Sequence, residues 1–213
     1  MNAQQLSDAV AGHGWRLVLG RLRTTVAAEP ATVARLVAAV LAAAEPDPGR
    51  VALDVRPGLV VVSVLPAEEV DLAAAITDAV TALGLDTEPG PAAGSIQQLE
   101  IAIDALDPAA IRPFWRAVLG YIDDPEEPPQ WASLIDPLKL APAVWFQPMD
   151  APRPQRNRIH LDISVPHDLA AARIDAALAA GGRISYEAHA PAWWVLADPE
   201  GNEACISTWQ NRD

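Results

Sequence analysis

The sequence has one cysteine, one lysine and no apolar stretch close to the ~20 residues that cross a bilayer. A lone Cys205 excludes an intramolecular disulfide and is typical of a reducing compartment. The N-terminal segment lacks a basic stretch followed by an apolar one, so no secretion signal is expected. The chain also lacks a glycine-rich phosphate loop, a Cys-x-x-Cys pair and a serine elbow. We therefore expect a cytoplasmic protein that does not enter a membrane.

Negative charge dominates, with 28 acidic residues against 15 basic ones and a formal net charge of −13. A chain of this charge repels a phosphate backbone, so nucleic acid is not an expected partner. One local exception places Arg153, Arg156 and Arg158 within six residues. These arginines are either a solvated loop or a cationic rim that binds a carboxylate or phosphate group of a ligand.

Residues 88–94 contain two prolines and two glycines, which neither a helix nor a central strand accommodates. They predict a linker between a domain at residues 1–87 and a second domain at 95–213. With 213 residues, 51% of them hydrophobic, each domain has enough apolar side chains for a modest core.

The first domain alternates amphipathic segments with β-branched runs. The pattern predicts the order α-β-β-α-β-β-α and an antiparallel sheet with helices on one face. The predicted helices are 6–11, 31–44 and 71–83, and the predicted strands are 15–19, 21–26, 51–55 and 59–65.

The second domain contains an internal repeat. A strand at 99–103 and a helix at 107–120 have the same pattern as a strand at 159–163 and a helix at 168–181. Each helix begins at an aspartate, Asp107 or Asp168, that is suited to cap its free N–H groups. Further strands are predicted at 131–135, 143–149, 183–187, 193–196 and 203–208. The fold class is therefore α+β, with two βαβββ units in the second domain.

Three motifs, in this order and spacing, carry a resemblance: Phe114-Trp115 in the first helix, residues 158–162 at the fifth strand, and residues 198–202 before the last strand. The second domain resembles the vicinal-oxygen-chelate (glyoxalase-like) superfamily. The resemblance implies a small-molecule pocket and a divalent metal held by the first, fourth, fifth and eighth strands. The positions it implies as metal ligands are Glu100, Gln147, His160 and Cys205, with Glu203 as a substitute for Cys205.

These residues depart from the family pattern, because Gln147 is a weak neutral donor and Cys205 is a soft one. We expect a pocket that binds a small organic molecule without a metal, in which His160 is hydrogen-bonded and Cys205 is a small buried side chain. The alternative is a lyase, isomerase or dioxygenase in which Glu100 and His160 hold one divalent metal or act as acid and base. The expected cofactor is thus none, or one divalent metal.

Six of the seven tryptophans lie in the second domain. They pack the core, or they line an aromatic cleft beside His160 that suits a planar or apolar ligand. Because Trp193 and Trp194 are adjacent on a strand, they should face opposite sides. The candidate ligand-binding tryptophans are Trp115, Trp131, Trp145, Trp193 and Trp194.

The first domain resembles pterin-4a-carbinolamine dehydratase over residues 4–85, through its layout and the phrases at 14–16 and 70–73. That resemblance implies a histidine–histidine–proline motif, which reads Pro46-Asp47-Pro48 here. Dehydration needs a proton donor and an acceptor, and Asp47 supplies only one such group. We expect the fold without the activity; the alternative is a residual 4a-hydroxytetrahydrobiopterin dehydratase. Both families commonly assemble, so a homo-oligomer is expected.

Overall fold

The computed structural model describes residues 1–66, 69–90, 96–128, 132–153, 155 and 159–211. The chain divides into two compact units, Met1–Gln98 and Leu99–Asp213. Each unit has its own cluster of buried apolar side chains. Within the described ranges, no helix is long and apolar enough to cross a membrane.

Unit 1 has the predicted order α-β-β-α-β-β-α. All its strand pairings are antiparallel, and the sheet order is β1-β2-β4-β3. Its elements are α1 (Ala3–Ala11), β1 (Arg16–Val18), β2 (Arg21–Ala27), α2 (Pro30–Ala43), β3 (Val51–Arg56), β4 (Leu59–Val64) and α3 (Val70–Thr81).

The core of unit 1 lies between its helices and one face of this sheet. Along β4, every second residue is buried, which places Val60, Val62 and Val64 against the helices. Trp15 is fully buried in the same cluster and donates from its indole nitrogen to the Thr77 hydroxyl at 2.9 Å. The likeness of this unit to a pterin dehydratase stays a prediction.

Unit 2 contains two four-stranded sheets with the orders β5-β8-β7-β6 and β10-β11-β12-β9. In each sheet the first and last strands of a repeat pair in parallel, β5 with β8 and β9 with β12. The elements are β5 (Glu100–Ala105), α4 (Pro108–Leu119), β6 (Ile122–Asp123), β7 (Leu134–Ile135), β8 (Ala143–Pro148), β9 (Leu161–Ser164), α5 (Ala170–Ala179), β10 (Arg183–Tyr186), β11 (Trp193–Ala197) and β12 (Glu203–Ser207).

The two repeat helices begin differently. Asp107 caps α4 as predicted, since its carboxylate accepts from the backbone N–H groups of Ala109 and Ala110 at 3.0 and 3.3 Å. The predicted Asp168 cap was wrong, because α5 starts after Leu169 and has no side-chain cap. The Leu169 N–H first closes a turn on the Pro166 carbonyl at 3.0 Å. Asp168 therefore lies inside that turn and not at the helix start.

Asp123 on β6 ties that strand to α4. Its carboxylate accepts from Arg112 at 2.6 Å and from Arg116 at 3.0 Å. The hydrogen bond from Arg112 is the main cause that lowers the pKa of Asp123, and the one from Arg116 adds to it. A carboxyl whose pKa is lowered by folding stabilises the protein above its unfolded-state pKa. That contribution is lost as the pH falls through the folded-state value.

We therefore expect Asp123→Asn to be less stable than the wild type at pH 7. The difference should shrink as the pH falls below about 4, where the carboxyl of the unfolded state becomes protonated first and that of the folded state follows at lower pH. Urea unfolding of both proteins at pH 7 and pH 3 measures this. A stability difference of the same size at both pH values would contradict the ionic origin.

Candidate functional site

A cleft of about 700 Å³ opens in unit 2. It is lined by β5 of one sheet and by the starts of β9 and β12, which are neighbours in the other sheet. Met149, Pro152, Arg153 and Gln155, which follow β8, and residues 199–202, which precede β12, complete its walls. The apolar side chains in its lining include Ile101, Ile103, Leu106, Met149, Ile159 and Leu161. The polar ones include Asp104, Arg153, Gln155, Glu200, Asn202 and Glu203.

Glu203 is the most buried carboxylate of this lining. It is the first residue of β12, and only 6% of its surface is exposed. The Ser185 hydroxyl on β10 donates to its Oε1 at 2.9 Å. Because a buried carboxylate needs hydrogen-bond partners, this contact fixes the Glu203 side chain at the cleft wall.

Asp104 and Arg153, which also line the cleft, form an ion pair. The guanidinium of Arg153 lies 3.0 Å from the Asp104 carboxylate, and their side chains are 68% and 40% exposed. Exposed pairs of this kind contribute about 0–1 kcal/mol, so a ligand charge can replace either partner at small cost. The pair therefore gives the cleft both a donor and an acceptor that remain available.

The turn at residues 198–202 holds the rim of the cleft in place. Asp198 is fully buried and accepts from the indole nitrogen of Trp115 at 3.0 Å, as well as from two backbone N–H groups of its own turn. Glu200 accepts from the backbone N–H groups of Leu106 and Asp107 at 2.8 and 2.7 Å. These contacts join the last strand of the second repeat to the first strand and helix of the first repeat.

A family model described as a glyoxalase-like domain matches residues 100–207, just over half of the 213-residue chain. The chain belongs to the glyoxalase-like family. This confirms the resemblance assigned to the second domain. No curated protein of matching sequence was found.

Solved structures similar to this glyoxalase-like chain include a glyoxalase/bleomycin resistance protein/dioxygenase family enzyme from Burkholderia phytofirmans PsJN. It is 21% identical with a TM-score of 0.37, covering 51% of this chain and 95% of that one. A glyoxalase-related enzyme from Fulvimarina pelagi is 20% identical with a TM-score of 0.40, covering 53% and 88%. The fosfomycin resistance protein FosX from Mesorhizobium loti is 7% identical with a TM-score of 0.42, covering 52% and 89%.

The first half of the glyoxalase-like domain does not bring its two predicted metal ligands together. Glu100 pairs with Ala143 across β5 and β8, whereas Gln147 pairs with Asp104. The two predicted ligands are thus offset by four residues, or about 13 Å along a parallel strand. Asp104, which the sequence interpretation did not select, is the acidic neighbour of Gln147. Asp104 lies on the same face of β5 as Glu100, so the alternation of side chains along this strand could have identified it as a candidate site residue.

In the second half, His160 directly precedes Leu161, and Glu203 directly precedes Ala204, the partner of Leu161. His160 is exposed. Cys205, two residues after Glu203 on β12, is buried. Within the described ranges, no three histidine, cysteine or acidic side chains are grouped so that they could hold a metal ion. The described donors thus do not fit the four-ligand centre that the family resemblance implies.

The candidate tryptophans have different surroundings. Trp115 is in the lining of the cleft, although only 1% of its surface is exposed. Trp145 lies on the face of β8 opposite the buried Val144 and is half-buried. As predicted, the adjacent pair diverges: Trp194 packs against the core, and Trp193 stacks on His189 with ring centroids 4.3 Å apart. Trp145, Trp193 and Trp194 are not in the lining of the cleft.

Three predicted ligand-binding residues, Trp131, Arg156 and Arg158, lie outside the described residues. Of the arginine cluster, the structure places Arg153 in the cleft. In unit 1, the Asp47 carboxylate accepts from the Gly49 N–H at 3.2 Å and lies 3.7 Å from Arg50. Asp47 therefore holds a local turn.

Proposed function

We propose that this cleft binds a small organic molecule and that binding does not require a metal. The observation that carries the proposal is the buried Glu203 carboxylate, oriented by Ser185 in the wall of a mixed apolar and polar cleft. The volume of about 700 Å³ lies within the range of small-molecule pockets. Apolar side chains supply the contact area, while Glu203, Asp104 and Arg153 orient polar groups of the ligand.

The experiment is a fragment screen on the full chain by ligand-observed NMR, in the presence and absence of a chelator. Fragments that bind the wild type should bind Glu203→Gln about tenfold more weakly, because a charge-assisted hydrogen bond is lost. Asp175→Asn is the matched control, since Asp175 is exposed on α5 and is not in the cleft lining. Equal affinity in the Glu203 and Asp175 variants would contradict the assignment of the cleft.

Elemental analysis of the untagged protein tests the metal-dependent alternative. One metal per chain, lost in His160→Ala, would replace our proposal with a metal-dependent lyase, isomerase or dioxygenase. A residual dehydratase would instead convert the pterin carbinolamine in an assay sensitive to Asp47→Ala and insensitive to His160→Ala. We also propose a homo-oligomer, which light scattering of the full chain measures directly.

A further inference from the structure

Three arginines share the face of the unit 1 sheet that points away from the helices. Arg21 and Arg23 alternate on β2 with the buried Leu22, and Arg16 on β1 pairs directly with Arg23. Side chains directly opposite each other in a sheet have Cβ atoms about 5 Å apart, and like charges there are destabilising. This is a local concentration of positive charge in a chain whose net charge is −13.

No described carboxylate neutralises this cluster. Within the described residues, no carboxylate oxygen lies within 4.0 Å of the three guanidinium groups. Glu88 bridges to Thr25, the next residue of β2 on this face, but forms no ion pair with Arg23. On the same face, Asp54 is paired with Arg56 at 3.0 Å.

The contacts of the three arginines are unequal. Arg16 donates to the backbone carbonyls of Trp15 and Ala11, at 2.7 and 3.3 Å, near the C-terminus of α1. Arg23 donates to the side-chain oxygen of Gln98, which orients its guanidinium group. All three guanidinium groups therefore lack an acidic partner among the described residues, but two backbone carbonyls hold Arg16 against the end of α1.

Arg23 also carries an unsatisfied donor. Its Nε is buried and has no hydrogen-bond partner, and it is the one such side-chain atom in the described part of the chain. Burial, followed by repulsion from Arg21, lowers the pKa of Arg23 below its ordinary value. Nε itself has less than 1 Å² of accessible surface, so an anion bound to Arg23 would offset the charge of the guanidinium group and would not pair with this atom. An anion at the accessible edge of the guanidinium would offset the cost of holding this charge.

We propose that Arg21 and Arg23 together bind a doubly charged oxyanion, a phosphate group, on this face of the unit 1 sheet. Two uncompensated guanidinium groups match the charge of about −2 on a phosphate monoester. Arginine also presents parallel donors that fit two oxygens of one phosphate. This site is built from residues of unit 1, and the proposal does not depend on what the cleft of unit 2 binds.

The test is calorimetric titration of the full chain with inorganic phosphate, in chloride buffers of constant ionic strength. We expect one phosphate per chain and binding about tenfold weaker in Arg21→Gln and in Arg23→Gln, as the loss of a charge-assisted hydrogen bond predicts. Arg56→Gln is the matched control, because Arg56 lies on the same face but already has an acidic partner. It should bind phosphate as tightly as the wild type.

Further arms identify the source of the phosphate group. Binding of glycerol phosphate without binding to phosphatidic acid vesicles would assign a soluble phosphate monoester, and binding to these vesicles, whose headgroup is also a phosphate monoester, would assign a lipid headgroup. Acetate at the same concentration should bind at least about tenfold more weakly than phosphate, since it carries half the charge. Absence of phosphate binding to the wild type, or an equal loss in Arg56→Gln, would overturn the proposal. If Arg23→Gln fails to fold, the Arg21→Gln result decides.

Discussion

Asp198→Ala is expected to lower the free energy of unfolding of the glyoxalase-like domain by about 4 kcal/mol, because it leaves one buried and three part-buried donors without their acceptor. The wild-type carboxylate is fully buried and accepts from the Trp115 indole and from the backbone N–H groups of Glu200 and Asn202. It also accepts from the Asn202 side chain at 2.9 Å. Alanine removes the acceptor of the buried Trp115 indole and of the three part-buried donors in the turn.

Tryptophan emission during urea unfolding measures this loss selectively, since six of the seven tryptophans lie in the glyoxalase-like domain. Trp115→Phe should cost less than Asp198→Ala, because it removes one of the donors and leaves the carboxylate its other partners. Asp168→Ala is the control: this aspartate is exposed and caps no helix, so we expect a change within about 0.5 kcal/mol. A similar small change in Asp198→Ala would show that water reaches the turn.

The fragment binding proposed for the cleft should also weaken in Asp198→Ala, even in conditions where the domain remains folded. The turn positions Glu200 and Asn202 in the cleft lining, and Glu200 in turn binds the backbone at Leu106. If the variant is less stable but binds fragments as tightly as the wild type, the turn does not contribute to ligand binding. The two measurements together therefore distinguish a structural turn from one that also shapes the site.

Sequence patterns predicted those features of the repeat that depend only on neighbouring residues in the chain. Alternation and helical spacing identified both repeat helices, and Asp107 and Gly120 fixed the ends of α4, where Gly120 adopts a φ of +72°. The two-residue strand β6 was missed, because two pairs of residues leave no periodic pattern. Asp168 failed as a cap because a turn that closes on Pro166 takes precedence over the helix.

The candidate site was predicted less well because it depends on pairing between distant segments. The repeat aligned Glu100 with His160 but held no information on register, which places Gln147 beside Asp104. Alternation along β12 did identify Glu203 as a residue on the same face as Cys205. The Trp115–Asp198 hydrogen bond joins residues 83 positions apart, and no local pattern contains it.

The second large effect is expected in unit 1, from Gly14→Ala. Gly14 has a φ of +75°, where a side chain is strained, and a Cβ atom there would overlap the backbone carbonyl of Thr87. The Thr87 segment has little freedom to move, because Glu88 exchanges two backbone hydrogen bonds of 2.8 Å with Thr25. We expect a loss of about 3–4 kcal/mol, from roughly 1–2 kcal/mol of backbone strain together with the cost of displacing this segment.

Gly20→Ala separates these two causes. Gly20 has a φ of +69°, almost the same as Gly14, but a Cβ atom there meets nothing within 4 Å. It should therefore lose only the strain contribution of about 1–2 kcal/mol. Hydrogen exchange of β2 peptides in the full chain gives both values, because exchange at Thr25 and its neighbours reports opening of the sheet. Equal losses in the two variants would mean that residues 87–88 yield to the added methyl group, and that their pairing with β2 contributes little to the stability of unit 1.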